Sequence, residues 1–387
     1  MARVRQVSVH PFAQWLRAPL RTARGPIQER LGFWFRVVFE MGPGDLPSAA
    51  DEPELTGLGE AMPLVEAGTE DFSVCEQALR EASWSLTGRD LPETVEALET
   101  LLDDTLQLSA LPAARHAVEV ALMDGWGKCR GRPLSWLLSP DAQNSAQLSA
   151  LLAEEQLDRL VAEAQALYRR GFRTFKLKVG ARPAEDDRSR VEAVSRATPD
   201  DTSLRLDANR AWTLPEALER LESLDRASLG RVTLCEDPLR SLDPSAWIEL
   251  RRNQPVPIAL DEPLASPSLR ARFFYCPDAF DAWVLKPLVQ GGVIRSWKLA
   301  RAITGIGRRV VITSSMDGTV ARAAAAHLSA AIPGALDAGL FTGRLFEHEG
   351  IPDPFVLDRQ SVRIDLSHCV GHGVSWRPVE LAEQLGA

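Results

Sequence analysis

The sequence predicts an α/β protein, a closed barrel of parallel strands and surrounding helices, joined to a separate α+β domain. Three observations predict it. Five short apolar runs each end in a charge: Lys178 in TFKLKVG, Asp207 in LRLDANR, Glu236 in VTLCEDP, Asp261 in PIALDEP and Lys286 in AWVLKPL. The steps between these charges are 29, 29, 25 and 25 residues, the length of one strand, one helix and two loops in a parallel β/α unit. The chain before residue 105 lacks this beat and shows strands followed by helices, the order of an α+β unit.

The elements follow in order. VRQVSVHPF and LGFWFRVVFE alternate or run apolar as antiparallel strands do, and GLGEAMPLVEAG is a loop punctuated by Gly and Pro. Helical stretches are expected around 70–85 and 91–108, the second with acidic residues in its first turn. The stretch AARHAVEVALMDGWGKCRG reads as a strong helix closed by GRP. A first barrel strand is placed at 147–153 and an amphipathic helix at 155–170, ended by Gly171. Strand RTFKLKV, helix 184–197 and strand SLRLDA come next, then a loop from Asn209 to Trp212 and a helix opened by Leu214-Pro215-Glu216. Strands VTLCED, PIALDE, AWVLKP and RRVVITSS (308–315) continue the series, with an eighth near 338–343. The predicted organisation is 1–110 as the α+β domain, 111–346 as the barrel and 347–387 as a segment returning to the first domain.

A length of 387 residues suits a barrel of roughly 250 residues plus a second domain. A net charge of −9 argues against nucleic acid or an anionic membrane as partner. No apolar run is long enough to span a bilayer, and the N-terminus reads as a strand, so a cytoplasmic protein is expected. The five cysteines are scattered, with no CxxC pair, and read as small buried hydrophobes in a reducing compartment. The six histidines fall away from the strand ends and read as surface or core residues. Of ten tryptophans, Trp15, Trp34 and Trp212 are candidates for lining a pocket mouth. GLGEAMP lacks the spacing of a dinucleotide fingerprint, and no GxSxG, P-loop or HExxH occurs.

A charge at the last position of a buried parallel strand emerges at its carboxyl end, where a barrel gathers its site. Asp207, Glu236 and Asp261, with no His or Cys among them, are hard oxygen ligands suited to Mg²⁺. Three carboxylates on neighbouring strands repel unless a cation joins them. Lys176 and Lys178 lie two apart, so both point to the face opposite Phe175 and Leu177, into the barrel. Two adjacent ammonium groups depress each other's pKa toward a neutral amine able to take a proton. Lys286, four strands on, faces them across the ring. The set reads as a site that removes a proton next to the carboxylate of a small molecule, with a metal stabilising the charge that develops.

At these residues the chain resembles the enolase superfamily. The resemblance runs through GLGEAMPL, ALMDGWGKCRGRPL, KLK, RLDAN, CEDP, ALDEP and VLKP followed by GG, in that order and spacing. It implies a modified TIM barrel, (β/α)7β, with a capping domain made from the N-terminal segment and the C-terminal tail. Capping loops around 17–27 and 58–66 would close over the substrate. It implies Asp207, Glu236 and Asp261 as Mg²⁺ ligands and Lys178 with Lys286 as the acid/base pair. Lys176 and Asn209 would contact the substrate carboxylate, and Ser314 and Ser315 the remote part of the substrate. A lysine on the sixth strand points to the muconate-lactonizing-like branch of cycloisomerases, dipeptide epimerases, N-acylamino acid racemases and o-succinylbenzoate synthases. RLDANRAWT and VLKP look most like the last of these. The acid before proline in CEDP is an aspartate where many relatives carry Glu or Gln. The resemblance leaves oligomeric state open.

Overall fold

The computed structural model describes residues 2–22, 25–40, 55–348, 351 and 362–376. Its first layer is a three-stranded antiparallel sheet of β1 (Arg3–Thr22), β2 (Gly25–Glu40) and β3 (Leu55–Ala61). Val4 pairs with Phe39 and Trp15 with Glu29 along the hairpin, and Phe35 pairs with Gly59 across β2 and β3. Phe12, Gln14 and Leu16 are buried while their neighbours are exposed, the alternation of a sheet with one covered face. Helices α1 (Phe72–Leu86) and α2 (Val95–Thr100) follow, the latter running into a π-helical turn at Leu101–Thr105. The helix expected at 91–108 is thus shorter and less regular.

The long helix α3 (Pro112–Arg130) is buried along almost its whole length. It is covered by the antiparallel sheet on one side and by barrel helices on the other. Contact with β3 depends on glycine: a Cβ at Gly59 would lie 1.8 Å from the Ala117 carbonyl oxygen, and one at Gly57 2.0 Å from that of Ala121. Backbone cannot yield as a side-chain tip can. Gly59→Ala is therefore expected to destabilise the protein by roughly 3 kcal/mol, read as a lower midpoint in urea unfolding.

After α4 (Leu134–Leu138) and the short β4 (Ser145–Gln147), the β/α alternation runs as predicted. The strands are β5 (Ala150–Leu152), β6 (Thr174–Lys178), β7 (Ser203–Asp207), β8 (Val232–Glu236), β9 (Ile258–Leu260), β10 (Ala282–Leu285), β11 (Arg309–Thr313) and β12 (Leu336–Gly339). Between them lie α5 (Leu157–Arg169), α6 (Ala184–Ala197), α7 (Leu214–Ala227), α8 (Pro244–Arg252), α9 (Pro267–Phe274), α10 (Pro287–Gln290), α11 (Val293–Gly305) and α12 (Thr319–Ala330). The eight strands pair in parallel, in chain order. Ser149 N–H donates to the Ala338 carbonyl at 2.9 Å, closing the ring between its first and last strands. The helix starts obey ordinary capping chemistry: Thr213 and Glu216 form a capping box at α7, and Gly171, at φ +111°, ends the turn after α5. The eighth strand ends at Gly339, short of the predicted 338–343. A Cβ there would lie 2.4 Å from Thr313 Oγ1, so the smallest residue is needed where β12 presses on β11.

Among the described residues two apolar clusters result. One fills the space between strands, helices and antiparallel sheet. The other, Leu234, Ala259, Ala282, Val284 and Val311, fills the barrel interior. Inward residues alternate along each strand, so Glu236, Asp261 and Lys286 share the inward parity of Leu234, Ala259 and Val284. From the 347–387 segment, β13 (Arg363–Asp365) pairs antiparallel with β4, and Trp376 meets the rings of His10 and Trp34. Residues 349–350, 352–361 and 377–387 of that segment, and 23–24 of the predicted capping loop 17–27, lie outside the described residues. Among the described residues no helix is long and apolar enough to cross a membrane.

Candidate active site

The register of the parallel strands sets the site. Lys178 stands opposite Asp207, and Asp207 opposite Glu236, while Glu236 pairs with Ala259 two residues before Asp261. Successive acids therefore step around one rim of the barrel, and Lys286 follows directly on β10. All three acids are largely buried, Glu236 most completely.

Two of the three lysines are paired with these acids. Lys176 Nζ lies 2.5 Å from Glu236 Oε2 and 2.9 Å from Asp207 Oδ2. Lys286 Nζ lies 2.7 Å from Asp261 Oδ2. Among the described residues the Lys178 ammonium makes no hydrogen bond or ion pair. The electrostatics divide accordingly. Burial pushes the Lys178 pKa down and the Lys176 and Lys286 charges add to this, more than Asp207 and Asp261 offset. Burial acts the same way on Lys176, but Asp207, Glu236 and Asp261 outweigh it and raise its pKa. Lys286 is raised as well, by Asp261 against burial. The expectation that Lys176 and Lys178 are both depressed is thus corrected: contact with two carboxylates overrides like-charge repulsion for Lys176, and Lys178 alone is poised toward the neutral amine.

Burial raises the Glu236 carboxyl, helped by Asp207 and Asp261 and only partly countered by Lys176. For Asp207 the three lysines overcome burial and lower it. Among the described residues no three His, Cys, Asp or Glu side chains form a ready-made metal cluster; lysine ammonium groups meet these acids instead. The donor set nonetheless fits a hard divalent cation. It consists of oxygen donors alone, on neighbouring strands, buried enough that their mutual repulsion is felt.

The remaining predicted residues fall at the same rim with other partners. Asn209 is exposed, and its backbone N–H, turned by a φ of +43°, donates to Asp207 Oδ1 at 3.1 Å. Ser314 Oγ pairs with Thr342 Oγ1 at 2.8 Å, and Ser315 Oγ donates to Asp317 Oδ1 at 2.6 Å. Trp34 and Trp212 are only 2% exposed. Trp34 stacks on Phe12, which makes it a core residue; Trp15 alone of the three is open to solvent. His116, His327 and His372 are buried, His10 is half-buried, and His348 and His368 are exposed.

Asp237 stands beside these acids without a role assigned from the sequence. Its side chain is 1% exposed and accepts from the N–H groups of Asp261 at 3.0 Å and Glu262 at 2.8 Å, so it fixes the peptide that carries Asp261. The signal was the second acid of CEDP: with Glu236 facing inward, its neighbour faces the adjoining loop.

A family model described as Enolase C-terminal domain-like matches residues 159–380, more than half of the chain. The chain belongs to the enolase superfamily. It is an enzyme of that superfamily, similar to several whose reactions differ. The L-Ala-D/L-Glu epimerase of Bacillus subtilis (strain 168) is 24% identical over 329 residues, covering 85% of each chain. The o-succinylbenzoate synthase of Thermosynechococcus vestitus is 29% identical over 324 residues, covering 82% of this chain and 86% of that one. The solved structure of a dipeptide epimerase from Enterococcus faecalis V583, complexed with Mg and a dipeptide, superimposes with a TM-score of 0.82 at 23% identity. It covers 97% of this chain and all of that one. These likenesses support the modified TIM barrel with its antiparallel cap, and metal use as a property of the superfamily.

Proposed function

We propose that this enolase superfamily enzyme is a Mg²⁺-dependent o-succinylbenzoate synthase, a lyase that removes water from 2-succinyl-6-hydroxy-2,4-cyclohexadiene-1-carboxylate. The observation that carries the chemistry is the asymmetry of the lysines: the Lys178 ammonium is unpaired among the described residues and its pKa depressed, while Lys286 is held as an ammonium by Asp261. One base and one fixed cation suit an elimination. The choice of substrate rests on the 29% identity to an o-succinylbenzoate synthase along four-fifths of the chain and on the RLDANRAWT and VLKP phrases.

In this reading Lys178 takes the proton α to the ring carboxylate, and the electron pair left on carbon forms the new ring double bond as the C–O bond to the 6-hydroxyl breaks. The Lys178 ammonium returns its proton to the departing oxygen, which leaves as water, and the ring becomes aromatic. Lys286 remains a cation against the planar ring. Lys176 and Asn209 would orient the ring carboxylate, and Ser314 and Ser315 the succinyl arm. Asp207, Glu236 and Asp261 would hold Mg²⁺, whose charge would stabilise the negative charge that develops when the proton is removed. Purified protein with Mg²⁺ should aromatise the cyclohexadiene, followed by ultraviolet absorbance. Exhaustive chelation should stop turnover, and added Mg²⁺ should restore it. Absence of aromatisation sinks the assignment.

A second reading, an N-acylamino acid racemase or dipeptide epimerase, is favoured by one observation: Lys286 stands four strands from Lys178 around the ring, where it could serve as an opposed base. Such an enzyme takes up solvent deuterium at the α-carbon from both faces. Racemisation of N-acylamino acids or dipeptides without aromatisation would select it.

A further inference from the structure

One wall of the candidate site is fastened to the cap by two buried polar side chains remote from the metal-ligand candidates. The segment from Ser314 to Val320 leaves β11, carries both candidate hydroxyl contacts and enters α12. Arg30, on β2, is 3% exposed and donates to main-chain carbonyls on both sides of the cap–barrel seam. It reaches those of Met62 at 2.7 Å and Pro63 at 3.0 Å in the cap, and that of Met316 at 3.3 Å in the barrel segment. Glu60, on β3, is 1% exposed and accepts from Gly318 N–H at 2.7 Å and Val320 N–H at 3.2 Å. A cation on carbonyls and a carboxyl group on N–H groups therefore grip two ends of one turn, the carboxyl pKa being pushed up to about 8 by burial and Asp317.

The fit is close. A Cβ on Gly318 would lie 2.5 Å from Glu60 Oε2. Met316 holds a φ of +63°, a conformation that a non-glycine residue keeps only where its surroundings fix it. Between the two gripped points, Asp317 accepts from Ser315 N–H at 3.1 Å and Ser315 Oγ at 2.6 Å. The direction of Ser315 is thus set by a turn whose position the cap determines.

We infer that Arg30 and Glu60 are positioning residues that set Ser314 and Ser315 through the 316–320 turn, so that substrate fit in the barrel is controlled from the cap without either residue touching substrate. This rests on reading the two serines as contacts to the remote arm of the substrate. Glu60→Gln and Gly318→Ala test it in the full chain; Gly318→Ala removes no charge, and Arg30→Lys serves as the conservative partner. Hydrogen exchange of peptides covering 314–320 is measured beside steady-state kinetics.

Faster exchange confined to that segment is expected, with KM raised roughly tenfold and kcat changed by less than about threefold. Unchanged exchange there overturns the inference, as does local loosening with no effect on KM. Faster exchange throughout the barrel overturns it too, since the pair would then be general supports. A fall in kcat at constant KM would also defeat it. If the wild-type protein racemises N-acylamino acids and leaves the cyclohexadiene untouched, the lyase proposal fails, and the same variants are scored on KM for that substrate. The two failures are therefore distinct.

Discussion

Replacing Lys178 with alanine is expected to lower turnover by roughly 10³-fold while leaving the protein as stable as the parent. The two halves of this expectation have separate causes. Among the described residues, Lys178 holds no carboxylate, so its loss leaves no buried acid unpaired. It also removes a desolvated amine that Lys176 and Lys286 repel. Chemistry, however, loses the one lysine at the rim whose pKa is pushed toward the neutral form. The sign of the pH dependence follows. A base works when deprotonated, so kcat/KM in the parent should rise with pH through the lowered Lys178 pKa and level off above it. Lys286→Ala differs, because it strips Asp261 of an ammonium 2.7 Å away and should cost stability as well as rate. A Lys178→Ala enzyme within tenfold of the parent, or a parent rate that falls as pH climbs through this range, would remove Lys178 from its role as base.

The barrel was legible because its signal is periodic. Apolar runs with a charge at the last position recur at a β/α interval, and inward parity then follows from the pleat. What stayed hidden depends on distance across the fold. Lys176 looked like a twin of Lys178 in the sequence; only the register, which brings Glu236 within 2.5 Å, shows that it is a paired cation. Asn209 is expected at the substrate carboxylate, but no spacing shows that its backbone N–H, turned by a left-handed φ, also reaches Asp207. Ser315 and Asp317 are two apart, and a hydroxyl two residues before an acid is a local pattern that could have been read. Glu60 and Gly318 are 258 residues apart, and no spacing announces their bond. Trp34 and Trp212 could not be assigned to core or mouth by composition, since large aromatic residues serve in both.

Arg115→Met is expected to lower stability by about 3–5 kcal/mol near neutral pH, the largest stability loss foreseen outside the site. Arg115 and Glu119 are both fully buried on α3 and meet at 2.6 Å. Arg115 also donates to Asp103 at 2.7 Å and to the Gly291 carbonyl at 2.5 Å, while Glu119 accepts from Ile294 N–H at 2.9 Å. The pair thus secures the turn that follows Lys286, and Gly292, at φ +134°, has no room for a Cβ against the Glu119 carboxylate. Asp103 keeps Arg295 when Arg115 is gone, but among the described residues Glu119 keeps no cation. Burial already raises the Glu119 pKa, with Arg115 opposing it; without Arg115 the folded value climbs further. A carboxyl whose folded pKa lies above its unfolded value destabilises progressively as pH rises from the unfolded value, about 4.3, to the folded one. The deficit of Arg115→Met should therefore be small in acid and widen toward neutrality in urea unfolding measured across that range. Adding Glu119→Leu should recover much of the loss, because two apolar residues leave no buried charge behind. A single variant whose deficit is flat with pH, or a double variant no more stable than the single, would show that the pair contributes by packing alone.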